Sequence, residues 1–214
     1  MKAEELKNIM QSTIESHLLH NLLENGFKWK KSSLIFARKR GDFEQSIHFY
    51  ISPPKYSDDN SMGHISIMIR FNSKEVNQVA SELIGAKSKF EQIEILVNVD
   101  VGLVIDSHAI GWRPKSIEEL TCLFENDIKS LLLTQIVPFF DSREKMQDLL
   151  TDFENEANYF FWTSSAAVAL RAIAMYSIIG KNETAEKVAR KYYLTDKAYR
   201  KRYMNVLNYF SIEE

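Results

Sequence analysis

Residues 3–25 place Leu6, Ile9, Met10, Ile14, Leu18 and Leu22 at the spacing of one helix face. A turn of about 3.6 residues brings such positions onto one stripe, so a helix over 3–25 is expected, stopped by Gly26. The period then becomes two. Phe27 and Trp29 alternate with Lys28 and Lys30, and Leu34 and Phe36 continue the pattern. Residues 38–42 read as a hairpin turn. Phe43, Gln45, Ile47, Phe49 and Ile51 alternate with Glu44, Ser46, His48 and Tyr50, until Pro53-Pro54 removes the ladder donors. After a polar loop over 55–63, Ile65, Ile67, Ile69 and Phe71 alternate with Ser66, Met68 and Arg70. These segments predict a meander of three or four antiparallel strands with one face covered.

The next signals mix the two periods. Ser73 is placed to cap a helix that buries Val76, Val79, Ala80 and Leu83 and ends at Gly85. Residues 89–96 suit either a helix or a strand. The β-branched run over 97–105 predicts a strand, with 109–112 as its short return. Ser116-Ile117-Glu118-Glu119 has the form of a capping box, in which Ser116 and Glu119 each cap the other's amide. The helix behind it is expected to bury Ile117, Leu120, Phe124, Ile128, Leu131 and Gln135, and Pro138 to end or kink it.

Beyond residue 142 every signal is helical. Met146, Leu149, Leu150, Phe153 and Ala157 form an inward stripe. Residues 166–179 are apolar all round, which marks a central buried helix stopped by Gly180. A helix beginning near Asn182 or Thr184 and a last one capped by Asp196 complete the chain. Leu170, Ala174, Tyr176, Gly180, Ala185 and Ala189 have the small-and-aromatic spacing of one helical hairpin of tetratricopeptide type. A single such unit means local packing only, because solenoids need several.

The expected fold class is therefore α+β: an antiparallel sheet packed by helices, with a helical C-terminal half. Helical residues should exceed strand residues by about two to one. The expected division is an α+β domain over 1–138 and a helical region over 139–214. Composition agrees with a globular chain: 214 residues, 45% apolar, 26% charged, with only seven glycines and four prolines. The N-terminal run carries acids and no apolar core, so no signal peptide is expected, and no apolar stretch is long enough for a membrane. One cysteine allows no internal disulfide. The expected location is cytoplasmic.

The net charge of -2 points to no partner class, but charge is unevenly distributed. Residues 25–40 carry Lys28, Lys30, Lys31, Arg38, Lys39 and Arg40 without an acid between Asn25 and Arg40. Bases interleaved with rings can bind nucleic acid, yet alternation sends Phe27 and Trp29 to the face opposite the lysines, so nucleic acid is the less favoured partner. Residues 141–158 are acidic. Asp148, Asp152 and Glu156 stand at i, i+4 and i+8, a row on one helix face with Glu154 nearby. These four acids are the candidate partner-binding residues.

Catalytic signatures are sparse. His48, His64 and His108 fall on or beside strands, with Asp58, Asp59 and Asp106 in adjoining loops, but none has tight metal-ligand spacing. No metal or cofactor is expected. Cys122 beside the apolar stripe reads as a small buried thiol. No phosphate loop, dinucleotide fingerprint or serine-hydrolase elbow occurs.

One stretch resembles a known group. Leu22-Leu23-Glu24-Asn25-Gly26-Phe27-Lys28-Trp29-Lys30-Lys31, then Leu34-Ile35-Phe36-Ala37-Arg38-Lys39, then Phe43-Glu44-Gln45-Ser46-Ile47-His48-Phe49, resemble a group of bacterial domains of unknown function. These domains open with a helix, a Gly-Phe-basic step and two aromatic-bearing strands. Some occur beside polymorphic-toxin genes, where immunity proteins are common. The resemblance covers about residues 15–71 and transfers no catalytic residue. It implies a non-enzymatic bacterial protein that binds a macromolecule, namely an immunity protein holding a toxin domain. The alternatives are a small-ligand or nucleic-acid-binding regulator, and a hydrolase whose site is assembled from separated polar residues.

Overall fold

The computed structural model describes residues 3–54, 60–88, 91–106, 108–161 and 164–212. In chain order, α1 (Ala3–His17) and α2 (Leu19–Glu24) lead into β1 (Lys28–Lys30), β2 (Ile35–Arg40), β3 (Phe43–Ser52) and β4 (His64–Asn72). Then come α3 (Lys74–Ile84), β5 (Val97–Asp100), α4 (Val101–Ile105) and β6 (Gly111–Trp112). A helical rod contains α5 (Ile117–Leu123), α6 (Lys129–Leu131) and α7 (Val137–Asp141). The chain closes with α8 (Met146–Glu154), α9 (Ser165–Ile178), α10 (Asn182–Tyr193), α11 (Lys197–Arg202) and α12 (Met204–Tyr209). Helix makes up 56% and strand 17% of the chain, an α+β fold with a larger helical excess than the pattern predicts.

The sheet is antiparallel, with six strands in the order β1-β2-β3-β4-β5 and β6 paired to β4. Trp29 lies opposite Phe36, while Lys28 faces Ala37 and Lys30 faces Ile35. Ile65 lies opposite Trp112 and Ser66 opposite Gly111. Of the expected return strand over 109–112, Gly111 and Trp112 pair with β4, not with the segment just before them. The expected strand over 97–105 stops at Asp100. The Asp100 carboxylate accepts the amides of Gly102 at 2.9 Å and Ile110 at 2.8 Å, and this cap turns the β-branched run into α4. Near the N-terminus the expected single helix is broken at Leu18, although its Leu18 and Leu22 amides still bond four residues back.

The chain forms two compact units. The first comprises 1–40, 44–70 and 98–144, and the second 41–43, 71–97 and 145–214. Residues 71–97, which include α3, therefore group with the C-terminal helices. The sequence division at residue 138 had placed them with the sheet.

In the first unit one sheet face is apolar. Phe27, Phe36, Ile47, Phe49, Ile65, Ile67 and Ile69 are buried, together with Leu6, Met10 and Ile14 of α1. The rod also contributes, with Phe49 against Phe124 at 6.2 Å and Phe27 against Phe140 at 6.1 Å between ring centroids. Its buried residues are Leu120, Phe124, Ile128, Leu132, Ile136, Val137 and Phe140, all but Val137 on a four-residue repeat. Leu131 and Gln135, expected inward, lie off this stripe, and Ile117 is 51% exposed. A regular α-helix advances about 40° too far for each four-residue step, or about 200° over the five steps. Two π-helical stretches, Phe124–Ile128 and Leu132–Ile136, widen the turn and keep the repeat facing the core. The second stretch also accommodates Pro138. Its wide turn opens room at the carbonyl four residues back, so the helix continues to Asp141 instead of ending.

Ser116 accepts the Glu119 amide at 3.2 Å, as the capping-box pattern predicts. The return arm differs: the Glu119 carboxylate takes the Lys115 amide at 2.7 Å, one residue before the expected one.

A buried polar network joins β2, β3 and the end of the rod. Arg38 is only 5% exposed. Its guanidinium donates to Gln45 at 2.8 Å, to the Asn25 carbonyl at 2.9 Å and to Asp141 at 2.6 Å, and lies 4.4 Å from the Phe27 ring centroid. Arg38, counted with the basic run over 25–40, is therefore not part of a surface patch. It is a satisfied interior cation, paired and bonded as burial requires.

In the second unit α9 is the central helix, buried from Ala166 to Tyr176 on nearly every side. The Tyr193 hydroxyl of α10 donates to the Ala166 carbonyl at 3.0 Å, and the Tyr193 ring stacks on Tyr203 at 4.2 Å. Residues 91–96 form neither a regular helix nor a strand. Side chains of the surrounding helices bond their backbone instead: Ser81 accepts the Ile93 amide, Asn77 donates to Glu94, and Arg171 donates to Ile95.

Candidate binding face

The second face of the sheet is polar. The pairing of Lys28 with Ala37 and Lys30 with Ile35 puts both lysines on the side opposite the Trp29–Phe36 stack. By alternation, Glu44, Ser46, His48 and Tyr50 of β3 lie on that same side, as do Ser66, Met68 and Arg70 of β4. An ion pair of 3.9 Å between Lys30 and Glu44 ties β1 to β3 there.

Tyr50 and Arg70 dominate this face. Tyr50 is 43% exposed. Arg70 donates from Nη2 to the Tyr50 hydroxyl at 2.5 Å and from Nε to Asn98 Oδ1 of β5 at 2.7 Å. The guanidinium is thus clamped across three strands. Its Nη1 has no partner among the described residues.

Beside Tyr50 the His48 ring lies nearly parallel, 6.3 Å away with 13° between planes. Its Nε2 is 2.9 Å from the Ser46 hydroxyl. Burial first, then the charges of Arg70 and Lys30, push its pKa down to about 4. The imidazole is therefore neutral near pH 7 and able to accept a proton. A serine beside a neutral histidine is the kernel of a nucleophile–base pair. Two features weigh against that chemistry here. Ser46 and His48 are both buried beneath longer neighbours, and no carboxylate orients the imidazole among the described residues.

The four acids singled out by the sequence lie in the second unit. Asp148 caps α8 by accepting the Lys145 amide at 2.8 Å. Asp152 accepts the Tyr159 hydroxyl and Glu154 the Tyr176 hydroxyl, each at 2.5 Å. Burial and that carboxylate push the Tyr176 hydroxyl well above the usual phenol range. Glu156 pairs with Lys191 at 3.7 Å. The expected row of three on one helix face does not form, because α8 ends at Glu154 and Glu156 adopts a left-handed conformation with φ 53°. The Ala157 amide bonds to the Asp152 carbonyl and the Glu156 amide to Phe153, a Schellman closure. Asp148 and Asp152 thus each hold local structure.

The remaining candidates are dispersed. His48 lies within β3, His64 packs closely over Gly111, and His108 is exposed beside Asp106 at 3.4 Å. Asp58 and Asp59 lie outside the described residues. Among the described residues no three His, Cys, Asp or Glu side chains group as a metal site. Cys122 is exposed, contrary to the buried thiol expected, because it falls between the inward positions Leu120 and Phe124. No described helix is long and apolar enough to cross a membrane.

Sequence reasoning placed Tyr50 and Arg70 outward without recognising them. The available signal was an outward aromatic on β3 and an outward arginine on β4. Comparison with models of known families, with curated proteins and with solved structures found no match to this chain.

Proposed function

We propose that this is a non-enzymatic binding protein that holds a macromolecular partner against the polar face of its sheet, and that the partner is a toxin domain neutralised by the contact. The observation that carries the reading is the clamped Tyr50–Arg70–Asn98 arrangement. Tyrosine and arginine dominate binding energy at protein interfaces. An arginine already fixed by two hydrogen bonds loses less side-chain freedom when a partner arrives. Exposed Lys28 and Lys30 beside it favour an acidic partner surface and speed encounter. The resemblance over about residues 15–71 falls on the strands that carry these side chains and supports the class of partner. A bacterial source and a cytoplasmic location belong to the same proposal. The acids Asp148, Asp152, Glu154 and Glu156 are left out of the surface, since each already has a partner within the second unit.

The test is binding kinetics against the toxin domain encoded beside this gene. Wild type should bind, and Tyr50→Ala and Arg70→Met should each weaken binding at least about tenfold, mainly by faster dissociation. Failure to bind any neighbouring gene product refutes the immunity role. Variants that bind as well as wild type refute the surface.

A second reading has its own observation. Three cations, Lys28, Lys30 and Arg70, share a face with the exposed Tyr50 ring, which suits single-stranded nucleic acid. Fluorescence anisotropy with labelled oligonucleotides separates the two. Tight binding that falls steeply with salt would replace the protein partner.

A further inference from the structure

We propose that the second unit carries a separate small-molecule site, selective for an amphipathic carboxylate with an aryl or short alkyl body. The site is a cavity of about 560 Å³, within the range of ordinary ligand pockets. Its apolar lining comes from Ile84, Ile93, Leu170 and the Tyr203 ring. Tyr203 makes a rigid wall because it is stacked on Tyr193 at 4.2 Å.

The polar groups of this cavity are mostly cationic. Lys87 and Arg202 both line it, and neither has a carboxylate within ion-pair distance among the described residues. The one acid in the lining, Glu91, is turned to other work. Its Oε2 accepts the backbone amides of Lys87 at 2.6 Å and Ser88 at 3.3 Å, which holds the turn after α3. An apolar pocket with two rim cations lacking acidic partners is complementary to a small molecule with an apolar body and one anionic end.

The neighbouring cavity of about 520 Å³ makes the contrast. It is lined by Val79, Leu83, Ile178 and Tyr209 and shares Lys87, but it has no second cation, and its other charged residue is Glu82. By its charges only the larger cavity favours an anion, and this site is independent of the binding face in the first unit.

The test is a ¹H–¹⁵N correlation titration of the whole protein with 4-phenylbutyrate, beside its neutral amide. A ligand of twelve non-hydrogen atoms at ordinary efficiency has a Kd of about 2 mM. Saturable shifts should centre on Gly85, Lys87, Ala167 and Tyr203, and the amide should bind about tenfold more weakly. Because the two cations are exposed, Lys87→Met and Arg202→Met should each cost about threefold and the double variant about tenfold. Both sites are on the surface, so the variants keep the wild-type spectrum in the absence of ligand. The site is refuted if no saturable shift occurs up to about 20 mM, roughly ten times the expected Kd. Shifts centred elsewhere, an amide that binds equally, or a double variant with wild-type affinity also refute it.

Discussion

His48 gives the binding face a pH dependence with a defined sign. In the unfolded chain its imidazole takes up a proton near pH 6.5, whereas in the fold burial beside Arg70 and Lys30 delays protonation to about pH 4. Between these values the unfolded chain holds more protons, so stability rises with pH across the window. The contribution is complete above pH 6.5 and is lost as the pH falls toward 4. At about 1.4 kcal/mol per pH unit the ceiling is about 3.5 kcal/mol. The ring lies on a polar face beside exposed Lys30 and Tyr50, and screening there reduces the expected loss to about 1.5–2 kcal/mol. Carboxylates titrate in the same range, so the measurement is a difference of differences. Urea unfolding from about pH 7.5 to about pH 4.5 is compared for wild type and His48→Gln. Glutamine keeps a hydrogen-bonding partner for Ser46 but cannot take the proton, so the variant should lose about 1.5–2 kcal/mol less than wild type. Equal losses would refute the reasoning. So would a His48 ring proton that titrates near its ordinary pKa by nuclear magnetic resonance.

Three further predictions concern local structure. Ser116→Ala should destabilise by about 1 kcal/mol, the usual effect of a lost N-cap, read as a lower urea midpoint at unchanged slope. Arg38→Met should cost about 3 kcal/mol by the same assay, because Gln45 and the Asn25 carbonyl lose their buried donor; Asp141→Asn, at a site 38% exposed, should cost about 1 kcal/mol or less. Glu156→Gly should stabilise by about 0.5–1 kcal/mol, since glycine adopts the left-handed closure of α8 without strain and the Lys191 pair it removes is exposed.

The elements that were legible are those in which one local rule acts without competition. The alternation of Ile65, Ile67, Ile69 and Phe71 reads as a half-covered strand, and it is one. The all-round apolar segment over 166–179 reads as a buried helix, and α9 is central. Misreadings arose where a side chain redirects the backbone. The β-branched run over 97–105 favours a strand until the Asp100 carboxylate caps the amides beyond it. The acidic row assumes a helix that continues past Glu154, and no glycine in the sequence marks the left-handed turn at Glu156. The rod was read with a 3.6-residue period, although the four-residue repeat from Leu120 to Phe140 was present in the sequence. The polar face was hardest to see. Tyr50 and Arg70 are twenty residues apart, and only the pairing of β3 with β4 brings them together.

The two π-helical stretches constrain how this chain can vary in length. A regular helix transmits a one-residue deletion as a rotation of about 100° in everything beyond it. Each π-helical stretch absorbs one residue, so a deletion within 124–136 can be met by one stretch reverting to regular helix. A deletion elsewhere in the rod would turn Phe140 toward water and swing Asp141 away from Arg38 and Arg40, which it pairs at 2.6 and 2.9 Å. The two π-helical stretches are thus the places where the rod can lose a residue and keep its phase. Relatives of this protein should carry a single-residue gap within 124–136 more readily than elsewhere along 117–141.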